Sequence, residues 1–405
     1  MQANRSPVYF TVIMLFLQFL PVEKNQLFAQ IDYQTYKISL LTYSPGDKLY
    51  SIFGHSALRI QSRESDWVFN YGTFDFDDPK FYADFMWGKL TYRLSRLPFD
   101  YALQVSSVED RSLFESPLHL TETQKAKIVS YLEMNYLPEN RAYQYDFLYD
   151  NCATRIMDVI NFGISNLAVY NPLAIPKKSF RSLLNPYLNR RPWVHIGVDF
   201  LMGLPADKKT QGTEASFLPD YLHLLVKNAS VNTMTGETHD LCLHDIVHVQ
   251  KEKTGKNSIL QPEWILWPLV LICLISFIFG TYFSVFFKYL YKIILIVFGI
   301  LGIVLLFLWF TTQHYIFNFN TDILWANPLL LSILFMGKRL QSTLRNHVLM
   351  IYLVLLFMLA SLGSIASLFV EKNLNITAIS FLVLSALYDK IRSLQRLPEH
   401  TVSFE

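Results

Sequence analysis

The stretch Tyr145–Arg155 reads YDFLYDNCATR and puts a cysteine directly after two residues that favour the start of a helix. Asp150 and Asn151 are good helix N-caps, because their side-chain oxygens accept hydrogen bonds from the free N–H groups of a first turn. The residues that follow carry an apolar stripe at helical spacing, formed by Ile156, Val159 and Ile160. The sequence therefore predicts a helix over 152–162, with Cys152 in its first turn.

A cysteine at this position is a candidate nucleophile. The unpaired N–H groups and the positive end of the helix dipole favour a thiolate over a thiol. Cysteines in such surroundings can have pKa values lowered to roughly 3.5–7.5. We therefore expect Cys152 to have a lowered pKa, and its own backbone N–H is a natural donor to an oxyanion.

A thiolate needs a base and an acid nearby, and His55 is the candidate. It lies in Tyr50–Ile60 (YSIFGHSALRI), at the start of a predicted strand and directly after Gly54. A glycine there allows the backbone or a substrate to come close. A further polar group would hold the second imidazole nitrogen. Asn70 on the next predicted strand is the first choice for it, and Asp75 is the second.

The surrounding pattern indicates an α+β domain. Alternating and β-branched residues predict strands over 36–43, 55–61, 67–71 and 91–97. The sequence Thr-Glu-Thr-Gln at 121–124 opens a predicted amphipathic helix over 121–133. Residues 170–260 carry few clear signals. Three nearby tyrosines are expected to pack in the fold and to take no part in chemistry; they are Tyr143, Tyr145 and Tyr149.

These segments resemble a known group of enzymes. A histidine strand that precedes an Asn-Cys helix is similar to the circularly permuted papain-like enzymes. More closely, FGHSALRI (53–60), FNYGTFDFD (69–77) and YDNCATR (149–155), together with the apolar C-terminal region, resemble the Lnb family of bacterial lipoprotein N-acyltransferases. The resemblance implies a permuted papain-like α+β periplasmic domain, followed by an all-α bundle of about five transmembrane helices. It implies that His55 and Cys152 form the catalytic pair.

The resemblance also implies the reaction. Cys152 would take an acyl chain from a membrane phospholipid as a thioester and pass it to the N-terminal amine of a diacylglyceryl lipoprotein. No cofactor or metal enters this chemistry. The implied location is the bacterial inner membrane, with the N-terminal domain in the periplasm and the C-terminus in the cytoplasm.

Several alternatives stay open at this point. A membrane-anchored NlpC-like amidase or peptidase of cell-wall peptides would use the same thiol and imidazole. A non-catalytic envelope assembly factor would need neither. Cys152 could instead be structural, or form a disulfide with Cys242. His244 and His248 are four residues apart, but they lack the third ligand and general base of a zinc hydrolase.

The C-terminal third is a membrane region. A spanning helix needs roughly 20 apolar residues, and five segments approach this length: 264–287, 293–310, 322–336, 348–370 and 376–388. Basic residues gather in alternate connectors, namely Lys288 and Lys292, then Lys338, Arg339 and Arg345, then Lys390, Arg392 and Arg396. Because positive charge collects on the cytoplasmic side, this pattern puts residues 30–260 outside and the C-terminus inside.

Residues 1–29 are typical of a secretory signal peptide cut after Ala29, with an uncleaved anchor as the alternative. The predicted domains are therefore 30–260 and 261–405. The formal net charge of +2 is spread along the chain and gives no indication of nucleic-acid binding. Four polar or amphipathic residues in the connector and third predicted span are candidates for a lipid-facing site: His314, Asp322, Trp325 and Asn327. An ordinary loop in water or headgroups is the alternative.

Overall fold

The computed structural model describes residues 32–74, 80, 83–84, 87–89, 91–232, 236–252, 260–279, 284–335, 343–370 and 372–395. An α+β domain comes first and a helical region follows, which confirms the predicted fold class. The predicted signal peptide and the candidate residue Asp75 lie outside the described residues.

An antiparallel sheet is the framework of the first domain. Its seven described strands are β1 (Lys37–Tyr43), β2 (His55–Gln61), β3 (Asp66–Thr73), β4 (Thr91–Pro98), β5 (Leu113–Pro117), β6 (Ala142–Gln144) and β10 (Ile246–Val249). Their order across the sheet is β10-β5-β1-β2-β3-β4-β6. A smaller sheet contains β7 (Ala168–Val169), β8 (Ser230–Asn232) and β9 (Thr238–Asp240). The four strands predicted from the sequence correspond to β1–β4.

Helices cover the sheet. The domain contains α1 (Phe99–Val108), α2 (Glu122–Tyr136), α3 (Cys152–Gly163), α4 (Phe180–Leu188), α5 (Pro192–Leu201) and α6 (Pro219–Lys227). The two predicted helices are α2 and α3, and α2 begins with a capping box between Thr121 and Gln124. Helix α3 packs on β2 and β3 through fully buried residues such as Ile156 and Ile160. Helices α4–α6 were not predicted, because each is short and lies in a stretch of sequence where proline and asparagine are frequent.

The helical region contains α7 (Glu263–Phe279), α8 (Ser284–Thr311), α9 (Ser332–Phe335), α10 (Thr343–Phe369) and α11 (Leu374–Gln395). Helices α8, α10 and α11 are long and apolar enough to cross a membrane, and α7 is a shorter apolar helix. The predicted boundary between the first two spans is wrong. Helix α7 ends at Phe279, so Lys288 and Lys292 lie within α8 and not in a connector.

The third predicted span is also wrong as a continuous helix. It consists of the 3-10 turns Thr321–Leu324 and Pro328–Leu331, followed by the short α9. The side chains of Asn320 and Asn327 cap the two turns, and Pro328 lacks the N–H that a continuing helix needs. This broken segment packs against α8 and α10, where three glycines leave room for it: Gly299, Gly302 and Gly363.

The two halves of the chain are joined by buried polar contacts. Asn320 donates from its side chain to the carbonyls of Phe200 (2.7 Å) and Leu201 (3.0 Å). The Asn373 N–H donates to Asp199 over 2.8 Å, and that carboxylate also pairs with the fully buried Arg181 at 3.0 Å. Buried groups of this kind need their partners, so these contacts fix how the α+β domain sits on the helices.

Gly54 is required by the turn into β2. Its φ is +82°, and a Cβ there would lie 2.9 Å from the Tyr43 carbonyl oxygen. We expect Gly54→Ala to lower the free energy of unfolding by about 1–3 kcal/mol, because both the backbone angle and the contact are strained. Thermal unfolding of the purified protein in detergent micelles measures this.

Gly197→Ala is the matched control for this prediction. Gly197 lies in α5, is exposed, and has no atom within 4 Å of its potential Cβ. Its replacement by alanine should raise stability slightly, by roughly 0.5–1 kcal/mol, because alanine favours helix more than glycine does. Equal unfolding midpoints for the two variants would contradict the argument.

Candidate active site

Asn151 sets the start of the cysteine helix. Its Oδ1 accepts hydrogen bonds from the N–H groups of Ala153 (2.8 Å) and Thr154 (3.1 Å). Its Nδ2 donates to the carbonyls of Phe147 (2.8 Å) and Phe217 (2.9 Å). Asn151 is therefore the N-cap, and it holds Cys152 as the first residue of α3.

Asp150 has a different role from the cap that the sequence allowed for it. Its carboxylate forms a two-pronged ion pair with Arg155, and the Nη2–Oδ2 distance is 2.7 Å. The pair lies on the first turn of α3, and the Arg155 guanidinium also sits 4.0 Å from the centre of the Tyr143 ring. Asp150 thus orients an arginine beside the site and leaves capping to its neighbour.

The Cys152 thiol is half-buried where α3 meets the start of β2. The backbone N–H groups of Ser56, Ala153 and Cys152 itself lie near the sulfur and favour its thiolate form. Ser56 directly follows His55, so the start of α3 lies against the start of β2, where His55 is found. The sequence did not point to Ser56, because a backbone donor carries no residue-type signal.

His55 is held by the predicted partner. Its Nε2 and Asn70 Oδ1 are 3.2 Å apart. The Asn70 amide nitrogen donates to the Val68 carbonyl over 3.4 Å, so the oxygen of the amide faces the imidazole. Nε2 therefore carries the proton of this hydrogen bond, and Nδ1 keeps the lone pair that a general base needs. Asn70 is almost fully buried, which holds this orientation.

Gly72 lets the backbone of β3 come close to Cys152. The β3–β4 pairing shifts register between Asn70 and Thr73, and Gly72 within this bulge has a φ of +88°. A Cβ on Gly72 would lie 3.7 Å from the Cys152 Cβ and 3.9 Å from the Tyr143 hydroxyl. The bulge thus brings bare backbone next to the thiol and leaves a space between the thiol and a tyrosine.

The protonation state differs from the sequence prediction. Burial raises the pKa of the Cys152 thiol, against the lowering effect of the N–H donors and of the Arg111 charge. Burial and the same arginine lower the pKa of His55 to about 4, although its hydrogen bond to Asn70 opposes this. The expected lowering of the thiol pKa is therefore wrong. The Cys152 thiol and the His55 imidazole are both neutral at pH 7.

Sequence reasoning missed Arg111, which precedes β5. This arginine is 6% exposed, donates to the Ser44 carbonyl over 2.9 Å and pairs with Glu109 at 3.3 Å. Its guanidinium lies 5.5 Å from the Tyr43 ring, whose centre is 5.5 Å from that of His55. It follows a helix with no motif around it, so only the fold brings its charge to the site.

The prediction that Asp322 and Trp325 face lipid is wrong. Asp322 and Trp325 are fully buried in the protein, where the Asp322 carboxylate pairs with Lys372 at 2.8 Å and accepts a hydrogen bond from the Trp325 indole. His314 and Asn327 are half-buried, and Asn327 caps a 3-10 turn. The polar cluster is therefore mostly structural, because buried carboxylates need a cation.

The structure also bears on the alternatives of a disulfide and of a histidine metal site. Cys152, Cys242 and Cys273 are all free, so Cys152 and Cys242 form no disulfide. His248 hydrogen bonds to Glu115 on the neighbouring strand. Among the described residues, no three histidine, cysteine, aspartate or glutamate side chains form a group that would hold a metal ion.

Fold and site together define a class: membrane proteins whose α+β domain has a cysteine at the start of a helix and a histidine on the strand it packs against, joined to a helical membrane region. The Lnb N-terminal periplasmic domain matches residues 23–185, and the Lnb transmembrane domain matches residues 254–395. The chain belongs to the Lnb family, and its N-terminal part is periplasmic. No curated protein and no solved structure matches the chain.

The neutral pair predicts how Cys152 responds to pH. Because the thiol pKa is raised, the thiolate fraction is small at neutral pH and grows roughly tenfold per pH unit below the pKa. Alkylation of Cys152 by iodoacetamide in the substrate-free protein should therefore rise steadily from about pH 6 to pH 9. Mass spectrometry of the peptide that contains Cys152 measures the rate.

His55→Gln is the control for this experiment. In a neutral pair the imidazole does not hold the thiolate by charge, so this variant should keep the same pH dependence. A rate that stays flat between about pH 6 and pH 8 in the wild type and turns steep in His55→Gln would instead reveal a thiolate–imidazolium pair.

Proposed function

We propose that this protein is a lipoprotein N-acyltransferase that moves an acyl chain from a membrane phospholipid, through a thioester on Cys152, to the N-terminal cysteine amine of a diacylglyceryl lipoprotein. The observation that carries the proposal is the meeting of the Cys152 helix with the His55–Asn70 pair in a chain of the Lnb family. Family membership supports a role in lipoprotein maturation, and the site supplies chemistry suited to it.

The first half-reaction forms the thioester. As the ester carbonyl approaches, His55 Nδ1 takes the thiol proton and the Cys152 sulfur attacks the carbonyl carbon. The S–C bond forms, and then the ester C–O bond breaks. His55 returns the proton to the departing lysophospholipid oxygen. Asn70 keeps its hydrogen bond to Nε2 while the imidazole is charged, which stabilises that charge.

The second half-reaction regenerates the enzyme. The lipoprotein amine attacks the thioester carbonyl and a C–N bond forms. His55 takes a proton from the amine, the S–C bond breaks, and the thiolate recovers a proton from the imidazolium. Atoms and charges balance with the side chains of Cys152 and His55 alone. The backbone N–H of Cys152 lies at the start of α3, where it suits an oxyanion.

The position of the site supports lipid substrates. Tyr149, three residues before Cys152, has its ring 6.3 Å from that of Tyr315 in the connector after α8. Near the Cys152 end of the domain, Trp87 contacts Phe307 of α8 with ring centres 5.1 Å apart. The loop before Cys152 thus contacts the helical region, which supports a substrate that carries an acyl chain. A thiol hydrolase of soluble peptides has no need of this placement.

The same contacts support a location and an orientation. The connectors that touch the α+β domain include Asn320 and Asn373, whereas α11 runs away from Asn373 toward Gln395. With the N-terminal domain in the periplasm, the C-terminus would lie in the cytoplasm. The basic Lys390 and Arg392 at that end suit the cytoplasmic side of the inner membrane.

The test is the mass of a lipoprotein's N-terminal peptide in cells that lack lipoprotein N-acylation. Expression of this protein should add one acyl mass, and Cys152→Ala should abolish the addition because the nucleophile is gone. Cys242→Ala is the matched control and should retain activity, since Cys242 is buried away from the site and contacts the His244 carbonyl.

Each outcome separates the alternatives. If the wild-type protein inserts into the membrane but adds no acyl mass, the transferase proposal is wrong. Release of free fatty acid or of cell-wall peptides would then favour a hydrolase. Retained acyl transfer by Cys152→Ala would refute the thioester. A protein whose cellular role survives Cys152→Ala would be an assembly factor.

A further inference from the structure

A buried tyrosine hydroxyl near Cys152 has no hydrogen-bond partner. Tyr143 lies on β6 and is 8% exposed, and its hydroxyl oxygen is buried with no partner among the described residues. Leaving a buried hydroxyl unpaired costs about 1–3 kcal/mol. The other tyrosines in this part of the domain show what is usual: Tyr71 donates to Asn135 over 2.6 Å, and Tyr170 donates to Asn161 over 2.7 Å.

This hydroxyl lies near Cys152 at the bulge in β3. The Tyr143 oxygen and the Cys152 Cβ both lie within 4 Å of the point that a Cβ on Gly72 would occupy. Gly72 has no side chain, so nothing from this residue separates the two groups.

The ring is held rigidly. Tyr143 packs edge-on against Tyr71 with centres 6.0 Å apart, and the Arg155 guanidinium lies 4.0 Å from its centre. Arg155 is itself fixed by Asp150. The cation over the ring draws electron density from the phenol and strengthens its O–H as a donor. Because burial raises the pKa of Tyr143 well above its ordinary value, the hydroxyl stays protonated at any working pH.

We propose that the Tyr143 hydroxyl donates a hydrogen bond to the oxyanion of both tetrahedral intermediates at Cys152, as a partner to the backbone N–H of Cys152. This inference rests on the proposed function, because it needs an acyl group on the sulfur. The carbonyl oxygen gains negative charge when sulfur or the amine attacks, and loses it when the C–O or S–C bond breaks. Tyr143 keeps its proton throughout.

An unpaired donor in the free enzyme suits this role. A donor that is already bonded in the ground state would have to break that bond to serve the transition state. A hydroxyl with no other partner gains its hydrogen bond only when the oxyanion forms, so its effect falls on the rate of the chemical step. Loss of one such donor typically costs about 10²–10³ in rate.

The experiment compares two reactions of the full-length protein in detergent. One is acylation of Cys152 by p-nitrophenyl hexanoate, followed by intact mass, which passes through an oxyanion. The other is alkylation of Cys152 by iodoacetamide, which does not. Tyr143→Phe removes a single oxygen atom and should slow acylation by roughly 10²-fold or more while alkylation keeps its rate and pH profile. Tyr170→Phe is the matched control and should change neither.

The outcomes are distinguishable. Equal acylation rates for wild type and Tyr143→Phe would overturn the inference. A parallel fall in both reactions would show that Tyr143 supports the structure of the site, and a shifted pH profile of alkylation would show that it pairs with the thiolate; either result overturns an oxyanion role. If the wild type gains no acyl mass on Cys152 at all, the proposed function itself fails.

Discussion

The hydrogen bonds of Asn151 are the constraint on which the site depends. One buried amide caps α3 through Oδ1 and ties the preceding loop to the Phe217 carbonyl through Nδ2. Its backbone N–H is taken by the Thr154 hydroxyl at 2.8 Å, which completes a capping box. Every polar group of this residue is thus used, and each use restricts where the next residue, Cys152, can lie. Aspartate could cap the helix equally well, but it has no N–H groups to offer the two carbonyls.

With Cys152 fixed in this way, the protonation of its thiol depends on burial and on local dipoles, which act in opposite directions. The N–H groups around the sulfur and the nearby Arg111 favour a thiolate, yet desolvation outweighs them and the thiol stays protonated. Arg111 also disfavours an imidazolium at His55. In the proposed reaction, a neutral thiol would keep its proton until an acyl carbonyl enters the site and donors stabilise the oxyanion.

Much of this architecture could be predicted from the sequence, because local patterns decide it. Strand alternation gave β1–β4, the Asn151 cap fixed the start of α3, and two strands side by side brought Asn70 to His55. The rest depends on groups that are distant along the chain. Arg111 and Tyr143 come to the site from a turn and a three-residue strand, so no spacing marks them. The direction of the thiol pKa shift was predicted wrongly, because the start of a helix can be recognised in a sequence whereas the burial of a thiol cannot.

In the membrane half, the polar residues could be recognised from the sequence, but their structural role could not. Asp322 looked like a lipid contact, yet it is fully buried and neutralises Lys372. The broken segment around Asp322 can pack this closely only because Gly302 and Gly363 face it. Asn320, at the start of that segment, then holds the α+β domain by two carbonyls of α5. The polar cluster therefore has a structural role, because it joins the α+β domain to the helical region.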